Sequence, residues 1–161
     1  MEIRSAQQTD IESILDIYNE AILNTVATFD TELRTLEQQT QWFHNHGELY
    51  PIWVAEQAGI IIGWASLNPY SDRLAYRRTA ELSLYIHSDY RGKGVGKQLM
   101  KQVLDAGLAA GLHTVLSRIV VGNESSIHLH QVYDFEHVGI MRQVGFKFGR
   151  MLDVIMMQKM L

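Results

Sequence analysis

Cysteine is absent from the 161 residues, which excludes disulfides, thiolate zinc sites, iron–sulfur clusters and a cysteine nucleophile. Proline occurs twice and glycine 12 times, too seldom for a disordered or fibrous chain. Long hydrophobic runs are also missing: the longest uncharged apolar run, Ala58 to Leu67, falls far short of a membrane span. The opening MEIRSAQQTD lacks the apolar core of a signal peptide, so the expected location is the cytoplasm. Positive charge is scarce early in the chain. Residues 1–72 hold two basic side chains, Arg4 and Arg34, against eleven acids, whereas residues 73–161 hold twelve against seven. The net charge of −4 argues against a nucleic-acid partner. The cationic later part fits a compact ligand with a few phosphates.

The length suits one domain with an ordinary core, spanning residues 1–161. Its elements alternate. Glu2 to Ala6 reads as a first strand, and Thr9 with Glu12 as a capping box for a helix whose apolar face is Ile11, Ile14, Leu15, Tyr18, Ala21 and Ile22. A second box, Thr35 with Gln38, opens a helix carrying Trp42 and Phe43, and Phe29 sits in a polar segment between the two helices that could form a lid. IWVAE and IIIGWASL flank Gln57, Ala58 and Gly59, which predicts a hairpin. AELSLYIHSDY (80–90) predicts a central strand leading into a helix with Val95, Leu99, Val103 and Leu104, closed by Gly111. A strand over 114–121, a helix over 125–132 and strands near 135–141 and 154–160 complete an α/β (α+β) fold. It contains about seven strands, mixed and mostly antiparallel, with about four helices.

The junction Arg91-Gly92-Lys93-Gly94-Val95-Gly96-Lys97 carries most information. Three alternate glycines where a strand meets a helix bring bare backbone to a ligand, and the unpaired N–H groups of the first helical turn face it. Such a turn binds phosphate oxygens, helped by the helix dipole and by Arg91, Lys93 and Lys97. The spacing is one residue short of a Walker loop, and Gln98 stands where a hydroxyl residue would hold magnesium. It also differs from a dinucleotide fingerprint, G-x-G-x-x-G early in a βαβ unit. His44 with His46, and His128 with His130, are spaced i,i+2, which sends their rings to different helix faces, so no metal is expected.

The remaining pattern, R-x-x-G-x-G after a strand, resembles the pyrophosphate loop of the GCN5-related N-acetyltransferases (GNAT). Further segments resemble the phosphinothricin and methionine sulfoximine N-acetyltransferase branch of that superfamily. These are Tyr76-Arg77-Arg78-Thr79-Ala80-Glu81 before the central strand, Asn123 to His130 followed by Asp134-Phe135, and Val144-Gly145-Phe146-Lys147-Phe148-Gly149-Arg150 with Asp153. The likeness covers nearly the whole chain. Two positions depart from it: Asp134 replaces a glycine, and Met151 replaces a tryptophan.

The resemblance implies acetyl-coenzyme A as co-substrate and direct attack by an amine in a ternary complex. It gives Arg91 to Lys97, through Gly92, Lys93, Gly94, Val95 and Gly96, to the diphosphate, and Leu84, Tyr85 and Ile86 with Asn123 and Ser126 to the pantetheine arm. Glu81 and His130 are the implied catalytic residues, Glu81 as the base and His130 near the sulfur, to protonate the thiolate, orient the substrate or assist as base. Phe29 and Tyr76 would wall an acceptor pocket in which Arg77 grips a carboxylate. The implied acceptor is the α-amino group of a small amino acid or an analogue such as phosphinothricin, methionine sulfoximine or methionine sulfone. A peptide N-terminus, a polyamine, or a non-catalytic acyl-coenzyme A module are the alternatives. A homodimer, with no nucleic acid and no membrane, is the expected setting.

Overall fold

Every apolar stripe in the sequence ends against one twisted sheet. In the computed structural model, which describes residues 1–161, the elements are β1 (Glu2–Ser5), α1 (Ile11–Asn24), α2 (Leu36–His46), β2 (Ile52–Gln57), β3 (Ile60–Pro69), β4 (Thr79–Ile86), α3 (Val95–Ala110), β5 (Thr114–Val120), α4 (Glu124–Val132), β6 (Glu136–Lys147) and β7 (Arg150–Met160). This is the order expected from the sequence. The sheet runs β1-β2-β3-β4-β5-β7-β6. All neighbours are antiparallel except β4 and β5.

Side chains alternate across the sheet and divide the core in two. Ile14, Ile17, Tyr18 and Ile22 of α1 meet Val54 and Trp64 on one face, with Trp42 and Phe43 of α2 alongside. On the other face Leu99, Met100, Val103 and Leu104 of α3 meet Ile62, Leu67, Leu82 and Val115, with Ile127 and Leu129 of α4 packed against them. Covered on both sides, β3 is buried from Ile61 to Leu67, which is why it reads as a continuous apolar run. The β2–β3 turn uses Ala58 (φ 52°) and Gly59 (φ 78°), both left-handed, as a two-residue hairpin requires.

Three boundaries differ from the sequence reading. The Thr9–Glu12 capping box does not form. Instead residues 8–10 make a 3₁₀ turn, and Asp10 reaches back to the Gln7 N–H (2.7 Å) because Arg4 pins its carboxylate with bonds of 2.7 and 2.9 Å. The strand expected over 80–90 stops at Ile86, and His87 then caps a 3₁₀ turn over Ser88–Tyr90 by accepting the Asp89 N–H. The last two strands are longer than their apolar runs. They continue to a turn at Phe148 (φ 52°) and Gly149 (φ 75°), with a register shift between Met141 and Gly145 around Gln143, whose N–H donates to Asp153 Oδ1. Asp134 takes the left-handed conformation (φ 61°) that glycine would adopt there.

Arg4 also holds Glu56 of β2 at 2.8 Å, so one guanidinium ties the first strand, the start of α1 and the second strand. Burial raises the Asp10 pKa, but the Arg4 and Gln7 hydrogen bonds outweigh it and leave the carboxyl below its ordinary value. A depressed carboxyl contributes stability above its unfolded pKa and loses it as pH falls through the folded one. Asp10→Asn should therefore destabilise the protein by about 2 kcal/mol at neutral pH and flatten the acid limb of a urea-denaturation series below about pH 4.

Candidate active site

The parallel pair β4 and β5 is joined only at Thr79–Thr114, Ala80–Val115 and Glu81–Leu116. Beyond that point the strands part. Leu82 to Ile86 keep β3 as their only sheet partner, and the opening forms a narrow groove lined by Ser83, Leu84, Tyr85, Ser117, Arg118 and His130, among others. The groove leads into a cleft of about 890 Å³ along Leu84, Tyr85 and Ile86 to Arg91, Gly92, Gly94, Gly96 and Lys97, with Asn123 and Ser126 on the opposite wall. One channel thus joins the strand opening to the glycine loop.

The loop is built for an anion. Gly92 (φ 72°) and Gly94 (φ 82°) are left-handed on either side of Lys93, a backbone pattern that turns successive N–H groups to one side. From Gly92 to Lys97 no backbone N–H donates to a protein acceptor. A Cβ on Gly92 or Gly94 would meet nothing within 4 Å, so the backbone there is bare, and Gly94 is the residue from which α3 starts. Arg91 is fastened at both ends: its Nε donates to Ile86 O (3.0 Å) and its Nη2 to Glu20 on α1 (2.6 Å). Lys93 lies 5.1 Å over the Tyr90 ring. The donors and charges fit a diphosphate.

At the strand opening the two faces carry different chemistry. Glu81 points to the α1/α2 side, as do Ser83 and Tyr85, and both its carboxylate oxygens are taken by Arg118, Nε to Oε1 and Nη2 to Oε2, each at 2.8 Å. Tyr85 packs edge-on against Tyr18 with ring centroids 5.1 Å apart, and burial raises its hydroxyl pKa. On the α3/α4 side His130 is buried, packed edge-on against Phe135. Burial lowers its pKa and favours the neutral ring, against a smaller opposing effect of the Ser126 carbonyl. Because that carbonyl only accepts, Nδ1 carries the proton (2.7 Å), and Nε2 is left to accept from the Ser117 hydroxyl (2.8 Å). Asn123 caps α4 by accepting the Ser126 N–H at 3.3 Å.

A second cleft, about 690 Å³, opens between α2 and residues 29–34, with Phe29, Arg34, Trp42, His46 and Asn68 in its wall. Its roof is fastened down. Asn19 bonds both the N–H and the carbonyl of Arg34, Tyr18 donates to Asp30, and Lys147, buried at the end of β6, donates to Thr28 O at 2.9 Å. Burial pushes the Tyr18 hydroxyl up to about 12. His46, also buried, bonds the Trp42 carbonyl and Asn68, and Asn68 donates to Glu81 O and Ser83 Oγ. The cleft therefore ends beside Glu81.

Leu84, Tyr85, Ile86, Arg91, Gly92, Gly94, Gly96, Lys97, Asn123, Ser126 and His130 converge on this channel, and Phe29 walls the neighbouring cleft, whereas the Lys93 side chain lies over Tyr90, Val95 packs into the core, and Glu81 reaches the groove only through its partner Arg118. Tyr76 and Arg77 do not join them. They lie exposed at the 3₁₀ turn before β4, where Tyr76 packs on Tyr70 and the Arg77 carbonyl accepts from Tyr50, and neither lines a described cleft. Arg118, Ser117, Asn68 and Arg34 belong to the site but were not selected. The one sequence signal for Arg118 is a lone charge inside the apolar strand TVLSRIV.

The family model described as Acetyltransferase (GNAT) family matches residues 11–135. The chain belongs to the GNAT acetyltransferase family. Among similar proteins, the L-methionine sulfoximine/L-methionine sulfone acetyltransferase of Pseudomonas aeruginosa is 41% identical over 158 residues, covering 97% of this chain and 92% of that one. The L-amino acid N-acyltransferase MnaT of Escherichia coli is 36% identical over 159 residues, covering 98% and 92%. The crystal structure of the GNAT superfamily phosphinothricin acetyltransferase from Sinorhizobium meliloti in complex with AcCoA superposes with a TM-score of 0.95 at 36% identity, covering 99% of this chain and 88% of that one. Family membership accounts for the seven-stranded sheet and the glycine loop together.

Gly145 on β6 touches the cleft roof so closely that an added methyl would fall on the Phe29 ring. Gly145→Ala should destabilise the protein by about 1–3 kcal/mol in chemical denaturation. Adding Phe29→Ala should recover most of that loss, a non-additivity that a double-mutant cycle reads directly.

Proposed function

We propose that this protein transfers the acetyl group of acetyl-coenzyme A to the α-amino group of a small amino acid or analogue, of the methionine sulfoximine, methionine sulfone or phosphinothricin type. The observation that carries the reading is the channel running from the free amides of the 91–97 loop, along the uncovered edge of β4, to Arg118, whose guanidinium holds the carboxylate of Glu81. The printed names of the relatives supply the acceptor class.

In this reading Arg91, Gly92, Lys93, Gly94, Val95, Gly96 and Lys97 hold the diphosphate. Backbone groups of Leu84 to Ile86 meet the pantetheine amides, and one N–H there polarises the thioester carbonyl. Asn123 and Ser126 close the other wall. The acceptor arrives as an ammonium, and Glu81 removes one proton, directly or through water. The freed nitrogen lone pair then bonds the acetyl carbon, the carbon–sulfur bond breaks, and the second nitrogen proton leaves with the sulfur as thiol. His130 acts through its neighbours: its Nε2 fixes the Ser117 hydroxyl at the floor of the groove and its Nδ1 fixes the first turn of α4. Use of acetyl-coenzyme A carries a cytoplasmic location with it.

Thiol release with a panel of amines tests the reading. Methionine sulfone and related α-amino acids should be turned over, and Glu81→Gln should lower kcat by about 10²–10⁴-fold with acetyl-coenzyme A affinity unchanged. Tight binding of acetyl-coenzyme A without turnover of any amine would instead identify an acyl-coenzyme A binding module.

We further propose that a second copy of the chain covers β6. This strand is the sheet edge, with a free row of backbone donors and acceptors, and Val138, Ile140, Val144 and Phe146 are exposed along it, with Met151 opposite Phe146. Light scattering should give twice the 18.4 kDa chain mass, and Phe146→Glu should give the monomer.

A further inference from the structure

Glu81 cannot act as a base in the state described above, because both of its oxygens are engaged by Arg118. The position of this pair resolves the conflict. Glu81 is the last β4 residue bonded to β5, opposite Leu116, and Arg118 stands two residues further along β5, on the same face. The pair therefore sits at the fork where the strands separate. Arg118 lines the groove that follows. On the other side Asn68, the register partner of Glu81 and a donor to its carbonyl, lines the 690 Å³ cleft. Each side of the ion pair thus borders an opening, Arg118 in the wall of the groove and Asn68, bonded to the Glu81 backbone, in the wall of the second cleft.

We propose that Arg118 is the carboxylate anchor of the acceptor, and that an α-amino acid enters by exchanging its own carboxylate for that of Glu81 on the guanidinium fork. The proposal rests on the acetyltransferase reading above and narrows it to acceptors with a free α-carboxylate. A zwitterion carries its carboxylate and ammonium on one carbon, so it offers each member of the pair the opposite charge. The substrate carboxylate takes the two N–H donors of Arg118. Glu81, released, faces the ammonium and takes one of its protons, and no other group changes charge.

Exposure makes the exchange feasible. The Arg118 side chain is 56% exposed and that of Glu81 24%, and ion pairs this accessible to water hold little net energy. Replacing one carboxylate by another at the same planar fork conserves the two parallel hydrogen bonds. A polyamine or an amino-acid amide has nothing to offer Arg118 and leaves Glu81 paired. The resting pair therefore discriminates against amines that lack the neighbouring carboxylate. Arg77, the cation first chosen from sequence for this task, lines neither cleft nor groove.

Calorimetry on the protein saturated with desulfo-coenzyme A, which cannot react, separates an anchor from a structural ion pair. L-Methionine sulfone should bind Arg118→Gln at least tenfold more weakly than wild type, and should bind Glu81→Gln within about threefold of wild type, because that variant loses the competing carboxylate and the partner of the ammonium together. The α-carboxamide of the same compound should bind wild type and Arg118→Gln equally weakly. Equal weakening in both variants, or undiminished binding to Arg118→Gln, would overturn the assignment. Melting temperatures of the variants check that both are folded. If wild type neither binds nor acetylates any α-amino acid, the acceptor class itself fails, and the anchor with it. Turnover of methionine sulfone by Arg118→Gln at the wild-type kcat/KM would remove the anchor alone and leave the acetyltransferase reading standing.

Discussion

The parting of β4 from β5 is the constraint on which the site depends. A parallel pair normally continues its hydrogen bonds as far as both strands run, and an unpaired strand edge inside a protein leaves polar backbone without partners. Here pairing stops after three residues although β4 runs on to Ile86 and β5 to Val120. The edge of β4 beyond Glu81 is thereby left free, and in the proposed function the pantetheine amides of acetyl-coenzyme A take it. The separation also sets α3 and α4 on opposite walls of one channel, so the free N–H groups of residues 92–97 and the Asn123 cap face the same space. Ser117 and His130 occupy the floor of the opening and Glu81 with Arg118 its rim.

Much of this was legible in the sequence because it is written in local chemistry. The glycine loop, the Thr35–Gln38 box, the Ala58–Gly59 turn and the Gly111 stop each obey rules that act over a few residues, and each appears at its expected place. The element order followed from the same signals. Asp134, which stands where the resembling family has glycine, takes the left-handed conformation a glycine would adopt.

What was not legible depends on contacts between distant segments. Thr9 and Glu12 satisfied the local capping rule, yet the helix starts elsewhere because Arg4 draws Asp10 into a different turn. The end of β4 is set by a cap at His87 that competes with an apolar pattern running past it. The length of β6 and β7 is hidden because β6 bends at Gln143 (φ 52°), whose N–H is held by Asp153 on the other strand, a contact no local pattern announces. Arg118 has no motif around it, and its meaning appears only when the strand register brings it beside Glu81. Arg77 stands out in sequence by its charge and its neighbourhood, whereas in the fold it is exposed and lines none of the described clefts.

The buried Lys147 joins two parts of the molecule 119 positions apart in sequence, the far edge of the sheet and the roof over the second cleft. Beside it the Phe29 ring is seated on Gly145. The roof is therefore held from two sides, by α1 through Tyr18 and Asn19 and by the terminal hairpin through Lys147 and Gly145. The roof and the sheet edge thus keep their relative position through one buried ammonium and one ring laid on bare backbone.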